Sequence, residues 1–176
     1  APSRSHLGVS RAVADPTMPR TPIIGGNWKC NPASLKDANK LLDAWKEKSF
    51  DKSKVDVFVC PTALHIATLK AGIEGLGMIV CAQNASASGM GAFTGEWTAE
   101  HLKDLEIGWT LIGHSERRSK YGDTDEVTAA KVELCQAAGI KVVLCIGELL
   151  EEREGGKTDQ VNQRQLAAVL PKIKNW

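Results

Sequence analysis

The chain lacks an excess of either charge. Its 22 basic and 21 acidic residues leave a formal net charge of +1, so neither nucleic acid nor an anionic membrane surface is indicated as a partner. It lacks long apolar runs, and none approaches the ~18 residues that a bilayer span requires. It lacks C-x-x-C pairs. The five cysteines (Cys30, Cys60, Cys81, Cys135 and Cys145) are odd in number, and four of them lie in or at the end of apolar, strand-like runs. That distribution fits reduced thiols in a non-secreted protein better than a disulfide frame or a zinc site. What the 176 residues do provide is enough length for one domain with a real core.

Residues 1–21 read differently from the rest. They carry Arg4, Arg11 and Arg20 against the single acid Asp15, with Ser3, Ser5 and Ser10 among small residues. A basic, acid-poor, serine-containing stretch is the composition of an organellar leader, although a disordered tail or an expression remnant has the same look. From Ile23 onward, apolar runs with β-type residues begin near 23, 55, 78, 109 and 140, and helical patterns fall between them. Strands are expected over 23–29, 55–60, 78–83, 109–114 and 140–146. Ser34 should cap a helix to about Lys48, and a short helix should follow over 64–71. Thr98 should open another to about Glu106. A helix over 123–138 should stop at Gly139, followed by a turn over 149–153 and a last helix over 161–170 that Pro171 disturbs. Five βα units in a row mean a parallel sheet. Alternation alone does not distinguish a closed barrel from an open doubly wound sheet.

The stretch Trp109–Arg118, W-T-L-I-G-H-S-E-R-R, changes character halfway. Its apolar half reads as a buried strand, and its polar half places His114, Ser115, Glu116, Arg117 and Arg118 at the carboxyl end. Parallel α/β proteins build their sites there. Histidine changes charge most easily near neutral pH, which suits acid–base or electrophilic work. The structural alternative is a strand followed by a solvated charged turn, with Ser115 capping it and Glu116 pairing with a neighbouring arginine. Period two on the first strand puts Gly25, Asn27 and Lys29 on one face, which aims an amide and an ammonium at the same end of the sheet.

Gly113–Arg118, read G-H-S-E-R-R, resembles the fourth-strand motif of the triose-phosphate isomerase family. Three further stretches agree in order: G-G-N-W-K (Gly25–Lys29), A-F-T-G-E (Ala92–Glu96) and C-I-G-E (Cys145–Glu148). The resemblance covers 22–176 and implies a TIM (β/α)8 barrel, of which about five of the eight βα units are here. It implies interconversion of dihydroxyacetone phosphate and glyceraldehyde 3-phosphate through an enediol(ate), within glycolysis and gluconeogenesis. His114 would be a neutral donor to the substrate carbonyl, Lys29 a fixed charge near the substrate oxygens and phosphate, Asn27 an amide donor beside it, and Glu116 the matching acid. Cys145 would be packing, and Glu148 a structural ion-pair partner. The loop Asn84–Gly95 would reach into a second subunit, with Thr94 at its tip and Cys30 near the contact, giving a homodimer. No cofactor and no metal are implied. The compartment would be the cytoplasm, or a plastid or mitochondrion if residues 1–21 are a leader.

Two other readings compete. G-M-G-A-F-T-G follows a strand and precedes a helix, and Glu116 lies about 20 residues beyond Gly95, as in a dinucleotide fingerprint. That would make the chain a Rossmann-type NAD-binding dehydrogenase, except that the spacing is one residue long and the fingerprint sits on the third βα unit rather than the first. G-G-K-T at Gly155–Thr158 lacks the first glycine of a Walker A loop. The second competitor is an inactive truncated or repurposed copy. A full barrel takes ~250 residues, and no A-Y-E-P-V-W type stretch, which holds the family's catalytic glutamate, occurs in this sequence.

Overall fold

A computed structural model describes residues 20–176; most of the N-terminal extension lies outside the described residues. Strands β1 (Ile23–Asn27), β2 (Asp56–Cys60), β3 (Ile79–Ala82), β4 (Trp109–Ile112) and β5 (Lys141–Leu144) alternate with helices. The first three helices are α1 (Leu35–Trp45), α2 (Ala63–Gly75) and α3 (Ala99–Asp104). Two more, α4 (Ser115–Tyr121) and α5 (Asp125–Ala138), separate β4 from β5, and α6 (Leu150–Glu154) and α7 (Thr158–Val169) follow β5. The local signals behave as expected. Ser34 accepts from the Asp37 N–H at 3.1 Å to open α1, and Gly139 closes α5 in the left-handed region at φ 85.

All strand pairs are parallel, and the spatial order is β1-β2-β3-β4-β5. Strand order settles what alternation left open. Right-handed crossovers that always step the same way put every helix on one face of the sheet. A doubly wound sheet needs a reversal of strand order to cover both faces, and none occurs among these five. The result is a curled half-barrel, and the Rossmann alternative loses its architectural basis.

The two faces bury different residues. On the helix side, Val59, Val80, Ala82 and Ile112 pack with Leu42, Leu69, Ile73, Leu102, Val132 and Cys135. On the inner side, Phe58, Cys60, Cys81 and Leu111 form a second, smaller cluster. These sets follow the period-two alternation of the strands. At Gly25 the inner face has no room for a side chain. A Cβ there would lie 2.1 Å from Phe58 Cζ, so the phenyl ring occupies that space.

Some boundaries differ from the sequence expectation. β1 ends at Asn27, and Lys29 takes a left-handed backbone with φ 55, so the alternation does not run through to it. α2 reaches Gly75, because Ile66, Leu69 and Ile73 continue its buried stripe. The helix expected over 123–138 begins at Asp125, and the separate α4 before it is closed by Gly122 at φ 74. α7 starts at Thr158, and Pro171 sits in a 3-10 turn, Leu170–Lys172. Among the described residues, no helix is long and apolar enough to cross a membrane.

Candidate active site

Parallel strands leave all their carboxyl ends at one rim, and the sequence motifs gather there. β4 leaves the sheet at Gly113, whose φ is 81; a Cβ would sit 2.8 Å from the Cys145 carbonyl oxygen and 2.9 Å from Thr128 Cγ2. Only glycine meets both demands, the left-handed backbone and the close approach. The next residue, His114, is the N-cap of α4. Its Nδ1 accepts from the Glu116 N–H at 3.2 Å. The cap is therefore the imidazole and not the Ser115 hydroxyl. An Nδ1 that accepts a hydrogen bond carries no proton, so the ring is neutral and its N–H is at Nε2. Glu116 Oε2 lies 3.7 Å from the same Nδ1, which is too long for a hydrogen bond. The shorter backbone contact decides the tautomer.

Lys29 approaches from the other side of the half-barrel. Its left-handed backbone costs a non-glycine residue roughly 1–2 kcal/mol and is held at both ends. The Lys29 N–H donates to Asn27 Oδ1 at 2.9 Å, and the Lys29 carbonyl accepts from Gln83 Nε2 at 2.7 Å. Its ammonium pairs with Glu116 Oε1 at 2.8 Å. The Lys29 hydrogen bond holds the Glu116 carboxyl below its ordinary range; partial desolvation opposes this, and the charges of Lys29 and Lys120 add to the lowering.

The arginines beside Glu116 are engaged elsewhere. Arg117 donates to Asp123 from Nε at 3.3 Å and from Nη2 at 3.2 Å. Arg118 pairs with Asp125 at 2.6 Å and donates from Nε to the Gly113 carbonyl at 2.7 Å. The partner of Glu116 is thus Lys29, and not the neighbouring arginine of the structural alternative. Asp123 is buried and also takes the buried Lys131 ammonium at 2.6 Å, which in turn reaches Asn84 Oδ1 at 3.1 Å. Burial alone would push the Asp123 carboxyl up, but hydrogen bonds from Arg117 and Lys131 bring it below its ordinary value. This network joins α4, α5 and the root of the 84–97 loop.

Asn27, Lys29, Glu116 and His114 thus form one chain of contacts. Thr94 and Cys30 are exposed, on the loop and on the β1–α1 connection respectively. Glu148 accepts from Thr158 Oγ1 at 3.2 Å and has Arg153 at 3.8 Å. Burial pushes the Cys145 thiol up, away from reactivity. Among the described residues, no three His, Cys, Asp or Glu side chains are grouped to hold a metal ion. Gln83 was not expected at the site. Its signal was present in the sequence, since period two puts it with Ile79 and Cys81 on the inner face, one residue past β3.

A family model described as triosephosphate isomerase matches residues 22–176. A triosephosphate isomerase of Coprinopsis cinerea is 43% identical over 157 residues, covering 89% of this chain and 62% of the relative. A glycosomal triosephosphate isomerase of Trypanosoma cruzi is 45% identical over 152 residues, covering 86% and 59%. The triosephosphate isomerase of Saccharomyces cerevisiae is 38% identical over 159 residues, covering 90% and 63%. The chain spans about three fifths of the length of these curated relatives.

Proposed function

The chain belongs to the triosephosphate isomerase family, and on that premise we propose that the rim built by β1 and β4 is the donor side of a site that interconverts dihydroxyacetone phosphate and glyceraldehyde 3-phosphate. A proton on the carbon beside the carbonyl moves, and negative charge grows on oxygen in the transition state. Donors fixed in advance where that charge appears lower the barrier. His114 presents a neutral Nε2–H to the carbonyl oxygen. That arrangement, a neutral imidazole beside an enediolate, is a known pattern for this enzyme. The Lys29 ammonium offsets charge on the substrate oxygens and phosphate. The Oδ1 of Asn27 is engaged by the Lys29 N–H, which leaves the Nδ2 hydrogens for substrate. Glu116 holds the Lys29 ammonium and is a poor base while it does so. The resemblance assigns the base to a glutamate in a stretch that these 176 residues do not contain.

The observation that carries this reading is the 2.8 Å contact between Lys29 and Glu116, 87 residues apart in sequence, with His114 capping the helix on which Glu116 sits. His114→Gln in the catalytically competent protein is expected to lower kcat about 100-fold or more, with KM little changed. An unchanged kcat/KM would reject the assignment.

Two further parts of the proposal rest on the family alone. The loop 84–95 is the contact between two copies, with Thr94 reaching the partner's first-strand site and Cys30 beside it; sedimentation of the full protein at twice its monomer mass is the result this requires. The activity is cytoplasmic, or plastid or mitochondrial where residues 1–21 act as a leader. A fluorescent fusion to those residues separates the cases.

A further inference from the structure

We infer that His101 is a pH-sensitive latch on the neck of the 84–97 loop: its neutral imidazole holds the Trp97–Thr98 peptide, and protonation of the ring releases it. The loop leaves and rejoins the fold at a neck closed by two hydrogen bonds. The Ser86 N–H donates to the Trp97 carbonyl at 2.8 Å, and the Trp97 indole N–H donates to the Asn84 carbonyl at 2.9 Å. The Trp97 carbonyl and the Thr98 N–H belong to one planar peptide unit. That N–H donates to His101 Nδ1 at 3.1 Å. A single peptide is therefore clamped from both sides, by Ser86 across the neck and by His101 in the first turn of α3. Asn84, Ser86 and Thr98 are all buried, so a donor released there is costly to leave unpaired.

Thr98 to His101 has the spacing of a capping box, S/T-x-x-E/Q, with histidine in the place of the glutamate or glutamine. The exchange changes what protons do. A glutamine oxygen accepts in neutral and in mildly acid solution alike. Imidazole Nδ1 accepts only while it carries no proton, and histidine is the side chain that changes charge between about pH 5 and 8. Once protonated, the ring offers a donor to a donor, and the contact with Thr98 turns repulsive. His101 is exposed, so the proton arrives without unfolding. The charged groups of its own helix are Glu100, Lys103 and Asp104, and Glu96 precedes them on the loop. On α5, which packs against α3, Lys131 is committed to Asp123, Glu133 to Lys172, and Asp125 to Arg118 and Arg164, while Glu126 lies in the first turn. With its N–H released, the Trp97–Thr98 peptide is free to rotate, and the Ser86 bond to its carbonyl weakens with it. Acid therefore loosens the neck. A consequence for association rests on the reading of 84–95 as the contact between two copies: a looser neck weakens the pair.

The test uses the full protein at about pH 8 and about pH 5.5, which bracket histidine titration. Amide hydrogen exchange is followed residue by residue by NMR and corrected for the intrinsic dependence of exchange on pH. Protection of the Ser86 and Thr98 amides is expected to fall about threefold to tenfold on acidification, the scale set by one hydrogen bond. His101→Gln keeps an acceptor at both pH values and should hold that protection constant to within about 1.5-fold. His101→Leu removes the acceptor and should show the lower protection at both. Protection that does not change with pH in the parent overturns the proposal, and so does an equal fall in the parent and in His101→Gln. Sedimentation reads the second step. The dissociation constant of the pair should rise on acidification in the parent by about the same threefold to tenfold, and not in His101→Gln. A full protein that is monomeric at the higher pH overturns the reading of the loop as the contact, and exchange at Ser86 and Thr98 still decides the latch.

Discussion

Glu116 shows how one residue's chemistry is set by a distant partner. Its side chain is 40% exposed, so the ion pair with Lys29 adds little to stability. Its value is geometric, because it holds a flexible ammonium in one place. The hydrogen bond from Lys29 is the largest cause of the lowered Glu116 pKa, whose ordinary value is 4.5. For a carboxyl lowered by folding, the stabilising contribution is present above the ordinary value and lost as pH falls through the folded one. The pair should therefore persist at pH 5 and fail only well into the acid range. Titration of the Glu116 carboxyl carbon by NMR is expected to give a midpoint below 4.5, and Lys29→Met should raise it. A midpoint indifferent to that substitution would mean that the pair does not form in solution.

The buried network links the elements and sets the orientation of α4. Asp123 accepts from Arg117 on α4 and from Lys131 on α5, and Lys131 also holds Asn84 at the root of the 84–97 loop. Asp123→Asn removes the negative charge and leaves the Lys131 ammonium buried without its counter-ion. Breaking a buried pair in this way costs about 3–5 kcal/mol, which should appear as a lower urea midpoint at an unchanged slope. A loss under about 1 kcal/mol would mean that water reaches Lys131 and screens the site. This scale also shows what the sequence could reveal. Ser34 and Gly139 were legible because a cap is a contact between near neighbours. The five strands were legible from apolar periodicity, and the strand order required the fold. The left-handed turn at Lys29 was not legible, since a partner 54 residues away holds half of it. Local spacing offered Arg117 and Arg118 as partners of Glu116, but both are committed to Asp123 and Asp125; only the family resemblance, with Glu116 as the matching acid, pointed to Lys29. Ser115 looked like the cap because hydroxyl caps are the usual ones, but the imidazole one residue earlier took the bond.

At the scale of the whole fold, the five strands of the described residues form an arc whose edges, β1 and β5, have no second strand neighbour among those residues. On the β1 edge, Ile23 is 52% exposed and Ile24 61% exposed. Unpaired strand edges with apolar side chains are templates for association. The rim carries His114 and Lys29, yet its matched carboxylates are both committed, Glu116 to Lys29 and Glu148 to Thr158 and Arg153. A general base must reach the carbon-bound proton with its carboxylate free to accept it. A polypeptide of these 176 residues alone is therefore expected to show no appreciable isomerase activity, and to aggregate or persist only beside a complementary segment or a partner. The measurement is an isomerisation assay of that polypeptide next to a full-length enzyme of the family, with its mass in solution determined by light scattering. A soluble monomer turning over at even ~1% of the full-length rate would place the base within these residues. Glu116 would then be the first carboxylate to substitute, with Glu116→Gln expected to abolish the residual turnover.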